Sequence, residues 1–227
     1  MRIPLTAYGL RELLAGSVLC LGAAALCVWL APPLAVLPAL CWLFLLSFFR
    51  DPKRPCACAE AELLSPADGT VSDIEEVAAP AFLEGRALRI GIFMSILNVH
   101  VNRSPAAGTV RQVWHVPGRF HDARTGAART ENEHNFVGLQ LADGHHVLVN
   151  QVAGVVARRI VCNVAMGQQL QRGERIGMVK FGSRVELYIP VADGPQPLVK
   201  VGDRVKGGLT VLARYAQAGG PARDAAR

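Results

Sequence analysis

The chain divides by its pattern of apolar and polar positions into an apolar start and a strand-like remainder. From Leu13 to Phe49 no residue carries a charge. Residues 13–31 form one apolar run, close to the roughly 20 residues that a helix needs to cross a bilayer. Pro32-Pro33 ends it, because proline lacks the N–H and clashes with the preceding turn. Residues 34–49 make a second, shorter run that either spans or re-enters. The pattern predicts a membrane anchor over residues 1–49, a hairpin of two apolar helices at 13–31 and 34–49, followed by a domain over 50–227. A cleaved secretory leader also begins with an apolar run. Here a second run follows at once, with no small-x-small site before a polar region.

From Leu63 onward the texture changes to short β-type runs cut by glycine and proline. Ser65-Pro-Ala-Asp-Gly-Thr-Val71 returns as Ser104-Pro-Ala-Ala-Gly-Thr-Val110, each a turn that leads into a strand. The stretch from Val164 through Gly177 is echoed by the one from Leu198 through Leu209. Both carry the glycine-acidic-or-amide turn of lipoyl- and biotinyl-type folds. Paired half-motifs imply a mainly β, barrel-sandwich-like, pseudo-symmetric domain behind a transmembrane helical hairpin. Ser95 can cap one helical turn at 95–100. Residues 118–135 are polar, basic and without hydrophobic period, which predicts a loop. That loop is either a solvated connection or a lid in which Arg119, Arg124 and Arg129 meet lipid phosphates.

Charge adds orientation. The net charge is +6; Arg2, Arg11 and Glu12 supply +1, leaving +5 from Arg50 on. Arg2 and Arg11 precede the hairpin, Arg50, Lys53 and Arg54 follow it, and the turn between is uncharged. The positive-inside rule then places the domain on the cytoplasmic face of the cell membrane. A basic excess on a tethered domain suits an anionic lipid surface. No nucleic-acid-binding motif is present. Of six cysteines, Cys20, Cys27 and Cys41 lie in the apolar runs, and Cys56, Cys58 and Cys162 form no zinc or disulfide pattern. No metal is expected.

Two Gly-Ser dipeptides occur, Gly16-Ser17 in the apolar segment and Gly182-Ser183 after a β-rich run. Only the second stands among residues that resemble a family. Phe48-Phe49-Arg50-Asp51-Pro52, Ser65-Pro-Ala-Asp68-Gly69, Asn98-Val-His100-Val-Asn-Arg103-Ser-Pro105, Asn132-Glu133 and Phe181-Gly182-Ser183 appear in the order found in phosphatidylserine decarboxylases of the short, membrane-associated type. The resemblance implies a proenzyme that cleaves itself between Gly182 and Ser183, giving chains 1–182 and 183–227. It also implies that Ser183 becomes a pyruvoyl cofactor. That group would form a Schiff base with phosphatidylserine in the bilayer and release phosphatidylethanolamine and CO2.

The residue types suit that chemistry. Glycine tolerates a distorted backbone at the cut, and serine supplies a nucleophile that needs a neighbouring base. The resemblance assigns acid-base work to Asp68 and His100, with His100 also handling substrate. In the longer relatives a second histidine completes the relay; Arg103 stands at that position here. Either His100 serves both steps, or Asp68 acts with a different partner. Arg103 is a candidate for binding the substrate's carboxylate or phosphate. Two other readings compete: a pyruvoyl decarboxylase of another amine, and a non-catalytic, membrane-tethered barrel-sandwich scaffold.

Overall fold

The computed structural model describes residues 5–56, 58–122, 125–154, 159–180 and 182–215. Arg2, Arg124 and Phe181 lie outside the described residues.

Helix α1 (Leu10–Leu30) and helix α2 (Val36–Phe48) form the expected hairpin, joined by a 3-10 turn at Pro32–Ala35. The Trp42 indole donates to the Ser17 hydroxyl across it at 3.1 Å. Among the described residues one helix, at Ala7–Leu30, is long and apolar enough to cross a membrane. Helix α2, with 13 residues, extends about 20 Å at 1.5 Å per residue, against a hydrocarbon core of about 30 Å. The hairpin is fastened to the rest at its base. Leu13, Phe48 and Phe49 pack with Met178, and Thr6 N–H donates to the Phe49 carbonyl at 2.9 Å.

The remainder is mainly β. Its large sheet has eight strands: β2 (Gly69–Ala78), β3 (Arg86–Met94), β5 (Gly108–Val116), β6 (His134–Leu141), β7 (His146–Val152), β9 (Gln169–Leu170), β11 (Ser183–Pro190) and β13 (Arg204–Val205). They lie side by side as β13-β2-β3-β11-β7-β6-β5-β9. A small sheet sets β10 (Arg175–Val179) between β4 (Val101–Arg103) and β8 (Ile160–Cys162). A second joins β1 (Glu62–Leu64), β14 (Val211–Arg214) and β12 (Gln196–Pro197). The core lies between these sheets, around Val71, Ile90, Ile92, Val137, Val149, Ile176, Val185 and Leu187.

The repeats are a structural pseudo-dyad. Ser65 and Ser104 each donate a side-chain bond to the carbonyl two residues on, Ala67 and Ala106, at 2.6 and 2.7 Å. Leu64 N–H donates to Pro105 O, and Arg103 N–H to Pro66 O, both at 2.9 Å. Gly208 and Gly173 donate to Ser65 and Ser104, while Gly202 and Gly167 donate to Val71 and Val110. The four glycines all have positive φ, between 72° and 95°, so each turn needs a residue without the Cβ penalty.

Two local expectations change. Residues 95–98 are a turn rather than a helical one, and Ser95 does not cap it: Asn98 Oδ1 accepts from Ser95 N–H and Oγ–H, both at 2.8 Å. In the 118–135 segment the described residues are bonded to the rest rather than free. The segment holds a short helix, α3 (Ala128–Glu131), and its end enters β6. Arg129 pairs with Asp73 and Glu75, and Arg119 with Glu131. Two of the three arginines predicted for lipid phosphates are therefore engaged by carboxylates.

Candidate active site

Ser183 opens β11, the fourth strand of the large sheet, opposite Met94 of β3. It is fully buried. Its hydroxyl has one described partner, the Met94 sulfur at 3.6 Å, so it is held by a weak acceptor. Neither Asp68 nor His100 is hydrogen-bonded to it among the described residues.

Gly182 has φ +62°, in the left-handed region where L-residues with side chains are strained. A Cβ there would meet nothing within 4 Å, so the backbone, not space, asks for glycine. Space is the issue at Gly154, just beyond β7. A Cβ built on Gly154 would fall on the Gly182 carbonyl oxygen and lie 2.8 Å from its carbon. The carbonyl of the Gly182-Ser183 bond is thus seated where Gly154 lacks a side chain. Asn132 fixes the neighbouring backbone: it is buried, and its carboxamide donates to the Ala153 carbonyl at 2.7 Å. Ala153 N–H in turn donates to Glu133 O at 3.0 Å. The Asn132-Glu133 pair has a position in the site that its sequence did not reveal.

His100 is fully buried at the foot of β4. Its ring lies against Phe48, the last residue of α2, with centroids 4.3 Å apart. Nδ1 is 3.0 Å from the Asn98 carbonyl, which can only accept, so Nδ1 carries the proton of the neutral ring. Nε2 is then a bare acceptor, and it is buried without a partner. Burial drives the His100 pKa down to about 4, helped by the charge of Arg50 and opposed by the Asn98 hydrogen bond and Asp68. His100 is a neutral base with its lone pair free.

Asp68 takes a different partner. Its carboxylate is gripped by both terminal nitrogens of Arg54, at 2.5 and 2.8 Å, and by Gly207 N–H at 2.8 Å. Among the described residues the side-chain partner of Asp68 is thus Arg54, not His100 or Ser183. Arg103 is committed elsewhere. Its guanidinium, buried, donates to Asp51 at 2.6 Å, to Pro52 O at 3.0 Å and to Gly173 O at 2.9 Å. It braces the segment after the hairpin against the Gly173 turn with three of its four terminal N–H groups, while its Nε–H is buried without a partner.

Asn102 lies two residues beyond His100 and was not singled out by its sequence. Its Nδ2 faces the Met94 sulfur at 3.8 Å, from the same sulfur that Ser183 reaches. Its Oδ1 accepts from Gln151 at 2.8 Å, and Gln151 accepts from Asn135 at 2.9 Å. A chain of carboxamides therefore orients a nearly free N–H donor beside Ser183.

The far face of β11 is polar and still buried. Arg184 donates to Glu186 and Asp73 at 2.7 Å, and Glu186 also accepts from Asn150 at 2.9 Å and Tyr188 at 2.6 Å. Burial works against charge on Asp73, yet the Arg184 guanidinium beside it holds its pKa below the ordinary carboxylate value. The residue after Ser183 is thereby clamped to β2. Among the described residues no group of three or more His, Cys, Asp or Glu side chains could hold a metal ion.

A family model described as phosphatidylserine decarboxylase matches residues 42–213. A protein of Symbiobacterium thermophilum named phosphatidylserine decarboxylase proenzyme is 47% identical over 175 residues, 77% of this chain and 80% of that protein. Proteins of the same name from Ralstonia nicotianae and Pelobacter propionicus are 46% and 44% identical; they cover 75% and 86% of this chain and 78% and 87% of their own lengths.

Proposed function

The chain belongs to the phosphatidylserine decarboxylase family, and on that premise we propose that it cuts itself between Gly182 and Ser183 and then converts phosphatidylserine to phosphatidylethanolamine at a bilayer surface. The observation that carries this reading is the setting of the bond to be cut. A buried serine follows a left-handed glycine, and the carbonyl between them sits against a Cβ-less Gly154.

In the first step the Ser183 hydroxyl oxygen bonds to the Gly182 carbonyl carbon. The C–N bond breaks, nitrogen gains the hydroxyl proton, and the amide becomes an ester. A base then removes the Ser183 α-proton, and the Gly182 carboxylate leaves with the electron pair of the C–O bond. The resulting dehydroalanine takes up water and releases ammonia, which leaves a ketone at position 183. Chains 1–182 and 183–227 are the products. His100 suits the role of base: it is neutral, its Nδ1 proton is fixed on Asn98, and Nε2 has no other partner.

The residues present fit a pyruvoyl group at position 183, since it needs no more room than serine and finds the Asn102 N–H donor nearby. When formed, it supplies an electron-accepting carbonyl for an amine substrate, the task that pyridoxal phosphate performs elsewhere. His100 holds and returns the proton, Phe48 keeps water from its ring, and Asn102 offers a hydrogen bond. Because Phe48 ends the second apolar helix, the site lies directly under the anchor, where a lipid headgroup would arrive. Basic flanks at Arg11, Arg50, Lys53 and Arg54 support a cytoplasmic placement of the domain.

Intact mass and a denaturing gel of the purified protein test the proposal. Two chains are expected, the smaller blocked at its N-terminus, with Ser183→Ala giving one uncut band. A single 24.3 kDa species from the unaltered chain would overturn it. A vesicle assay with phosphatidylserine and other amine-bearing lipids identifies the headgroup.

A further inference from the structure

A cleft of about 490 Å³ is lined in part by Asp68, within the size range of ligand pockets. Arg50, Thr70, Phe93, Ser95, Arg204 and Lys206 are among its lining residues. Its charge is not balanced. Asp68 is already neutralised by Arg54. Arg204 and Lys206 are exposed and have no ion-pair partner among the described residues. Arg50 donates to Ser47 and to the Leu97 carbonyl, not to a carboxylate. Cations left unpaired around a concavity attract an anion, and an arginine fork with a lysine suits phosphate oxygens.

The cleft also reaches the residue that orients His100. Asn98, one of its lining residues, holds the Nδ1 proton of His100. The turn at its mouth is apolar: Ile96 is 47% and Leu97 67% exposed. Arg50 ties that turn to the base of α2 at 2.6 Å, through its bond to the Leu97 carbonyl. A cationic pocket with an apolar lip beside an apolar helix is complementary to a molecule with an anionic head and acyl tails.

We propose that this cleft is the headgroup subsite for the lipid substrate, with Arg204 and Lys206 holding its phosphate and Ile96 and Leu97 seated among the acyl chains. The proposal rests on the function proposed above and assigns residues to it. The phosphate would be bound away from Ser183, which lets the amine end of the headgroup reach position 183.

The test uses the full chain with phosphatidylserine in mixed micelles, following processing on gels and CO2 release. Arg204→Gln with Lys206→Gln should still be cut into two chains. Its KM for lipid should rise about tenfold with kcat within about twofold, and Arg204→Lys with Lys206→Arg should restore KM. Added salt should raise the KM of the unaltered chain more than that of the double variant. Glycerophosphoserine should compete with the lipid, and inorganic phosphate should not at the same concentration. Ile96→Ser with Leu97→Ser should lose activity on long-chain vesicles while keeping it on monomeric dihexanoyl phosphatidylserine. An unchanged KM in the Gln variant would sink the phosphate assignment, as would equal competition by inorganic phosphate. Equal losses on both lipids would sink the acyl assignment. Failure of the unaltered chain to cut or decarboxylate would instead count against the function itself.

Discussion

The ring of His100 lies against the ring of Phe48 with centroids 4.3 Å apart, so the end of the apolar hairpin forms one wall of the site. Anchor and chemistry share a contact. Removing that wall by Phe48→Ala should cost about 3–5 kcal/mol of stability, as for other buried aromatics. It should also let water reach His100. Thermal melts and the rate of chain cutting measure the two effects separately.

The base assignment predicts that His100→Ala slows self-cleavage at least a hundredfold, the usual scale for losing a positioned general base. Time courses of the uncut band would show it. Cutting at the unaltered rate would remove His100 from the first step.

Asp68 and Arg54 should behave as a pair. Breaking a buried ion pair from either side costs about 3–5 kcal/mol, so Asp68→Asn and Arg54→Gln should lower the melting temperature alike while the folded fraction still cuts. If Asp68→Asn alone abolishes cutting, Asp68 acts on Ser183 directly.

At the cut itself, Gly154→Ala and Gly182→Ala should differ in kind. Alanine at 154 collides with the Gly182 carbonyl, so the chain should fold, by circular dichroism, and stay uncut. Alanine at 182 meets only the left-handed backbone strain of about 1–2 kcal/mol, so cutting should slow without stopping.

Stability should depend on acid in a defined direction. His100 has a folded pKa of about 4 against an ordinary 6.5, so the unfolded chain binds the proton more readily. Stability is therefore full above about pH 6.5 and falls as pH drops toward 4, by roughly 3 kcal/mol from this group. Burial lowers His134 as well, which adds in the same sense. Denaturant melts across that range should show the slope, and His100→Gln should flatten it. An equal slope in the variant would shift the effect to His134.

After cutting, the small chain should remain bound. Strand β11 is paired along its length with β3 and over five rows with β7, and Arg184 is clamped to Asp73 of β2. Gel filtration without denaturant should show both chains together. Arg184→Ala, which strands two buried carboxylates, should weaken that association.

Much of this architecture was legible in the order of residues. An apolar stretch without charge can only be buried or placed in lipid, and two prolines divide it, so the hairpin followed from composition and local sterics. The repeated Ser-Pro and glycine turns announced the pseudo-dyad because a turn's φ requirement is local. Gly182-Ser183 stood out only through the motifs around it.

The partners of the site residues were not legible, because side-chain contacts depend on which distant strands meet. Gly154 is one glycine after a strand until the pairing of β7 with β11 sets it against the Gly182 carbonyl. Arg103 sits where a catalytic histidine would be expected, yet Asp51, 52 residues away in sequence, claims its guanidinium. Arg184 and Glu186 alternate with apolar Val185 and Leu187 along β11, yet packing buries both faces and pairs the charges. Local periodicity determined which segments became helix, strand and turn. Long-range register, which alone decides what each buried polar group has left to bond, determined what His100, Asp68 and Ser183 can do.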